Sequence, residues 1–295
     1  MRALHVLSSL ALVLVTQDAL RLQDPPKAQD PGKPQQAADP KQVLDEVLAQ
    51  FKKEGIELDP KAQTVTVAAT ANEPQNEIEY LLIHRRGKRH EALFVTRSKP
   101  SVLNAALLML GLQPGQNAQA IEKQPPPSIE EIEKGADPLV IVPPKGMQLW
   151  MTVRWKTPEE KQDKWEEYCV EDIVMDLTTQ EPVVDCSWVY LGGRLARFYK
   201  DEPEVYAADM EGNLVSTCYM SPDNHLATMV HKDARDQQNW WFTNKMPKHD
   251  TPVQFVFHRI EPELHKARAK RLKAAQEQAG RKDEKKGDEP GGGGR

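Results

Sequence analysis

Two imidazoles and a carboxylate, His84, His90 and Glu91, are the residues of this chain best spaced to do chemistry. They flank a turn at Arg86-Gly87-Lys88, between one apolar run ending at His84 and another beginning at Ala92. If Gly87 closes a three-residue loop with a bulge, His84 and His90 fall on one face of a ribbon, roughly 7–8 Å apart at Cα. Two neutral imidazoles on one face could hold a divalent metal, and His90 beside a carboxylate could act as a general base. Glu91 follows His90 directly and so points to the other face. The simpler account is that His90 and Glu91 satisfy each other while Lys88 and Arg89 stay in water, because His/Glu pairs are degenerate signals.

Trp188-Val189-Tyr190-Leu191-Gly192-Gly193-Arg194 is the second candidate. Two glycines after an aromatic strand let backbone approach a ligand, Trp188 and Tyr190 could line it, and Arg194 could clamp a carboxylate or phosphate. The bland account is a core strand ending in a bent turn with an exposed arginine. Cys169, Cys186 and Cys218 are the only thiols, an odd number that suits one disulfide and one free thiol in an exported protein. Cys169 and Cys186 fall on strands expected to be neighbours, so they are the expected bridge. Three cysteines are too sparse for an iron–sulfur cluster, and strand cysteines are more often buried and inert than nucleophilic. His225 and His231, six residues apart, match neither one helical face nor a zinc-binding spacing. Asp209, Glu211 and Asn213 have calcium-loop spacing without the later glutamate, and a hairpin turn accounts for them. The sequence holds no phosphate-binding glycine loop, serine elbow or metalloprotease helix.

These side chains must be held by the elements around them. Ile78–His84 and His90–Thr96 read as the arms of a hairpin, with Gly87 supplying a positive φ. Pro100 suits a first helical turn capped by Ser98 or Lys99. Val102, Leu103, Ala106, Leu107 and Leu110 then make a buried stripe, and Gly111 fits the left-handed position that ends such a helix. Upstream, Asp39 is a good N-cap, Pro40 fits the first helical position and Gln42 stands where a capping box wants it. Val43, Leu44, Val47, Leu48 and Phe51 recur at helical spacing up to Gly55. Ile56–Leu58 and Val65–Val67 alternate about the turn Asp59-Pro60-Lys61, which predicts another hairpin. Downstream, Leu149–Trp155, Trp165–Asp176, Val183–Tyr190, Val205–Asp209, Leu214–Tyr219 and Thr251–Ile260 read as strands of an antiparallel sheet, curved or barrel-like.

The run Gly87-Lys88-Arg89-His90-Glu91-Ala92-Leu93, followed by Pro100 and Ala105-Ala106-Leu107-Leu108-Met109-Leu110-Gly111, resembles the bacterial YdjY-like family. Glu171-Asp172-Ile173-Val174, Trp188 to Arg194, Tyr206-Ala207-Ala208-Asp209 and Gly212 resemble it in the same order. The likeness covers roughly Gly55 to Ile260. The family has no settled activity, so the resemblance implies a fold outline and no active site. Some relatives are associated with iron–sulfur ferredoxin modules. Where family members tend to carry a hydroxyl residue before the second motif's glycine, this chain has Leu191, which weakens a ligand role for that loop.

The composition is 39% hydrophobic and 28% charged, that of a globular protein with polar appendages, and a net charge of −5 argues against nucleic acid as the main partner. Residues 1–19 read as a secretory signal: Arg2 is the positive n-region, and Ala3–Val15 is an apolar run too short to span a bilayer. Residues 20–38, rich in Pro and Gln, should be a disordered tether. The expected fold is α+β, mainly antiparallel strands in two lobes, with an N-terminal amphipathic helix and one buried helix after a hairpin. The lobes span residues 39–123 and 147–260, joined by a Pro-rich linker at 124–146. A basic helix should fill 261–279 and a disordered tail 280–295. These readings suit an extracytoplasmic, non-catalytic binding or assembly module. Its partner would be an envelope protein or a small ligand, and its mature chain has no transmembrane helix. The other reading is a metal-binding or redox-accessory protein using His84, His90 and Glu91. The sequence specifies no cofactor. Only the pairing of strands and the convergence of side chains can decide between the two.

Overall fold

The alternating apolar runs do become strands, but they choose partners from across the whole chain. The computed structural model describes residues 39–157, 164–219, 225–235 and 237–287. The expected signal, the tether and residues 288–295 of the expected tail lie outside these. Ile56–Asp59 (β1) and Thr64–Ala71 (β2) form the predicted hairpin, with Ile56 opposite Val67. Asp59 Oδ1 accepts from the N–H groups of Lys61 and Ala62, which is why this tripeptide turns. Tyr80–His84 (β3) and Ala92–Thr96 (β4) follow, then Met147–Thr157 (β5), Lys164–Cys169 (β6), Ser187–Tyr190 (β7), Asn213–Ser216 (β8), Ala227–Val230 (β9) and Pro252–His258 (β10).

Eight of these close into a ring in the order β2-β10-β5-β7-β9-β8-β3-β4, with β4 returning to β2. The pairs β8–β9 and β3–β4 are parallel and the other six antiparallel. β1 extends the ring beside β2, and β6 beside β5. The result is a closed mixed β-barrel with six helices among the described residues, 26% helical. The expected two-lobed, antiparallel α+β fold is therefore overturned. The last strand, β10, pairs with β2 along seven residues, Pro252 opposite Thr70 through His258 opposite Thr64. β8 pairs with β3. Both proposed lobes thus contribute neighbouring staves, and no boundary can fall between them. The expected linker lies within an excursion between barrel strands. There Gln119–Glu122 pairs with Leu139–Val142, and a helical turn, Ile129–Glu133, is closed by a Ser128/Glu131 capping box.

The predicted hairpin at Gly87 is replaced by a tight crossover. β3 and β4 are parallel, Tyr80 opposite Ala92 and His84 opposite Thr96, so residues 85–91 must carry the chain back along the barrel. A single 3-10 turn at Arg89–Glu91 delivers it to β4. Gly87 is not among the glycines with positive φ. It is needed because a Cβ there would stand 2.8 Å from Gly212 O and 3.0 Å from Ile83 Cβ. Gly212, at φ +79°, ends the short helix Ala207–Glu211 and presses on Gly87 from the other side.

The barrel interior is filled by side chains. Phe94 meets Phe255 edge-on at 5.9 Å, Phe255 meets Phe257 at 5.1 Å, and Val65, Val67, Leu149, Met151, Val153 and Trp188 complete the buried layer. Each such side chain contributes about 1.5–3 kcal/mol by leaving water. Two helices lie on this body as predicted. Pro40–Lys53 (α1) takes its N-cap from Asp39 Oδ1 and buries Phe51. Gln42, however, bonds Glu46 instead of completing a capping box. Pro100–Met109 (α2) buries Val102, Leu103, Ala106 and Leu107, and Gly111 ends it at φ +91°. The predicted basic helix runs from Glu263 through Gly287 (hereafter the C-terminal helix), past the expected limit of 279 and through Gly280, which weakens a helix without ending it. Among the described residues no helix is long and apolar enough to cross a membrane.

Candidate functional site

The parallel register separates the two imidazoles that the sequence had placed together. His84 ends β3, while His90 precedes β4 at the opposite end of the pair, about 13 Å away by strand rise. His84 is buried, which pushes its pKa down, with Arg85 and Arg86 acting in the same direction. The His90 side chain is half exposed and its Nε2 lies 3.3 Å from Glu91 Oε1. The simpler account of His90 and Glu91 is thus the geometry observed, and the expected His84/His90 metal pair is not assembled. A buried group that sequence reading missed sits beside them. The Glu79 side chain, 4% exposed, holds Lys88 Nζ at 2.6 Å, and Glu91 approaches the same ammonium at 3.4 Å. Burial pushes the Glu79 carboxyl pKa up, against the opposing pull of Lys88.

Trp188, Tyr190 and Arg194 are also dispersed. Trp188 is buried and donates from Nε1 to Glu171 Oε1 at 3.1 Å. Tyr190 is buried and donates its hydroxyl to Asn104 Oδ1. The close approach that Gly192 and Gly193 permit is taken up by Pro114 and Tyr206, whose hydroxyl donates to Gly192 O at 2.8 Å. Arg194 is exposed beyond that turn. No disulfide joins Cys169, Cys186 or Cys218, so the expected Cys169–Cys186 bridge is not formed.

The side chains that do converge lie on the outer face of the barrel under the start of the C-terminal helix. Antiparallel pairing lines up Thr64, His258 and Trp150, then Thr66, Val256, Thr152 and Cys169, then Gln254, Arg154 and Glu167 on one surface. Pro262, Glu263 and Leu264 roof part of it, leaving a cleft of about 480 Å³ that is also lined by Glu57, Asp59, Thr64, Thr66, Arg154, Glu167 and His258. Thr152 Oγ1 ties two walls together, 2.7 Å from Glu167 Oε1 and 3.0 Å from His258 Nε2. Arg154 Nε donates to Gln254 Oε1 at 2.7 Å, and its guanidinium lies over the Trp165 ring. Burial, then the neighbouring His265 and Arg154, push the His258 pKa down to about 4, so the ring is neutral at physiological pH. The cleft is lined by four carboxylates, Glu57, Asp59, Glu167 and Glu263, and one guanidinium, and Glu263 is already paired with Lys266 Nζ at 2.7 Å.

Beside the cleft, a one-turn helix at Val170–Ile173 buries two acids that the sequence analysis quoted without giving them a role. Asp172 gathers three cations: Arg268 Nε at 2.8 Å, an Arg271 nitrogen at 3.5 Å and Lys245 Nζ at 3.9 Å. Glu171 faces His265, Nε2 to Oε2 3.1 Å. A signal was present: adjacent acids between Val170 and Ile173 in an apolar run must be carried inward with them, and a buried acid needs a partner.

The unit that carries this face runs from the start of β1 to the end of β10. A family model described as the YdjY domain matches residues 56–258, the same span. The chain belongs to the YdjY family. Neither a curated protein nor a solved structure matches it. The matched residues of the YdjY domain hold the whole barrel, the tight crossover at Gly87 and the buried acids at Glu171 and Asp172. α1 and the C-terminal helix fall outside them, so the roof of the cleft is added to the YdjY barrel by flanking chain.

Proposed function

We propose that the protein is a non-catalytic binding module that works outside the cytoplasm and reads a positively charged group on its ligand or partner in the cleft beneath the C-terminal helix. The observation that carries this reading is the charge of that cleft: Glu57, Asp59 and Glu167 face one guanidinium around about 480 Å³, with Glu263 paired to Lys266, outside a barrel whose interior is filled. A cation entering it replaces water at several carboxylates at once, and the apolar walls at Val256 and Leu264 lower the local dielectric and strengthen the attraction. Export follows from the N-terminal residues, where Arg2 and the apolar run Ala3–Val15 suit a secretory signal.

The test is a titration with spermidine and with a short oligolysine peptide, followed by amide shifts in NMR spectra. Shifts confined to the residues lining the cleft, weakened tenfold or more in Glu167→Gln and further by added salt, are expected. Shifts spread over the surface, or the same affinity in Glu167→Gln, refute the reading. Recovery of the full-length protein from the cytosol with residues 1–19 still attached refutes the location.

A further inference from the structure

Three donors of different chemical type meet under the first turn of the C-terminal helix, each delivered by a different element. Cys169 ends β6, Glu171 lies in the helical turn that follows, and His265 comes from the helix itself. One donor atom from each lies within 4.8 Å of the other two, and all three residues are buried. Among the described residues this is the group of three or more Cys, His, Asp and Glu donors close enough to share an ion. The imidazole is held by Glu171 on one side only. Its Nδ1 is buried with no hydrogen-bond partner, while the His265 side chain is 8% exposed.

Charge sharpens the point. The nearby cations Arg268, Arg271 and Lys245 are gathered by Asp172. Glu171, 5% exposed, bonds the Trp188 indole N–H and the His265 ring, and the Arg268 guanidinium acts on it through space. A buried carboxylate is stable when it is paired or coordinates a metal. We propose that Cys169, Glu171 and His265 bind one zinc-type divalent transition ion. Thiolate, imidazole and carboxylate together are a donor set that zinc accepts, and a thiolate discriminates against magnesium and calcium. A tetrahedral zinc ion with ligand bonds of about 2.0–2.3 Å holds its donors roughly 3.5 Å apart. The 3.1 Å between His265 Nε2 and Glu171 Oε2 is already in that range, and Cys169 closes the remainder by side-chain rotation. As the metal–sulfur bond forms, the thiol proton leaves to solvent; the ring proton displaced from Nε2 moves to the unpartnered Nδ1, so the imidazole binds neutral. The dication, thiolate and carboxylate then sum to zero charge in the buried site. A water completes the fourth position.

His265 lies just past the residues matched to the YdjY domain, so the ion would tie the flanking helix to the barrel. The experiment uses the full chain made without a histidine tag. Metal analysis after dialysis against zinc should give one zinc per chain. Cobalt substitution should give thiolate-to-cobalt charge transfer with the visible bands of a four-coordinate ion. His265→Gln and Cys169→Ser should each weaken zinc binding at least tenfold, and zinc should protect one thiol from alkylation in the wild type. Absence of stoichiometric zinc, a cobalt spectrum without thiolate bands in the wild-type chain, or variants that bind zinc like the wild type overturn the proposal. The cobalt and alkylation arms need no variant to fold.

Discussion

Acidification should loosen this barrel through His258. That ring is half-buried between β2 and β5, bonds Thr152 Oγ1, and faces His265 and Arg154. Its pKa falls from the ordinary 6.5 to about 4, chiefly through burial. A base whose folded pKa is depressed binds fewer protons folded than unfolded. Its contribution is therefore complete above pH 6.5 and is lost as the pH falls towards 4. At about 1.36 kcal/mol per unit, the full shift corresponds to roughly 3 kcal/mol, of which about 2 kcal/mol is already lost at pH 5.0. His84 and His231 are pushed the same way by burial, so the total slope does not isolate one ring. The assay is urea unfolding at pH 7.5 and pH 5.0 for the wild type and His258→Gln, whose amide can keep the bond to Thr152. The wild type should lose about 2 kcal/mol more than the variant between the two pH values. Equal losses in both proteins would refute the assignment of that pH dependence to His258.

Gly87→Ala should lower stability by about 1–3 kcal/mol, because the new methyl meets Gly212 backbone and Ile83; an unchanged melting temperature would show that the crossover has room. Lys88→Met should destabilise the protein at pH 7.5 by about 1 kcal/mol or more beyond Glu79→Gln, since it leaves Glu79 and Glu91 facing each other without a cation. Equal effects in urea titrations would refute that network. Phe255→Ala should cost about 3–5 kcal/mol, as the ring touches both Phe94 and Phe257 in the barrel interior. Alkylation of denatured protein without reductant should add three labels by mass, and a count of one would restore the Cys169–Cys186 bridge.

Local features were legible wherever the physics is local. The Asp59 turn, the Asp39 cap, the stripe on α2 and its Gly111 terminator are all settled by neighbours in sequence, and each stands where it was expected. Gly87 shows the limit. A glycine between two apolar runs signals a tight path, but a hairpin and a parallel crossover need the same residues. The segment that packs on this turn, at Gly212, lies far along the chain. Alternation likewise gives each strand an inner and an outer face without naming its partner, so β10 against β2 and β8 against β3 could not be read. The candidate site suffered most from this. His84 and His90 were joined by an assumed register that would have aligned them, and the true register separates them. Glu171 and His265 lie far apart in sequence and meet only because the C-terminal helix lies on β6.

Because the final stave of the ring lies between β2 and β5, synthesis and closure are coupled in time. A ribosome that has not yet released residues 252–258 holds a chain with two unsatisfied strand edges, flanking the slot that this segment must fill. Such edges recruit any extended polypeptide within reach, so the nascent protein is exposed to aggregation until this stave emerges. If a translocation machine delivers the chain in an unfolded form, that interval disappears, because every stave arrives before assembly begins.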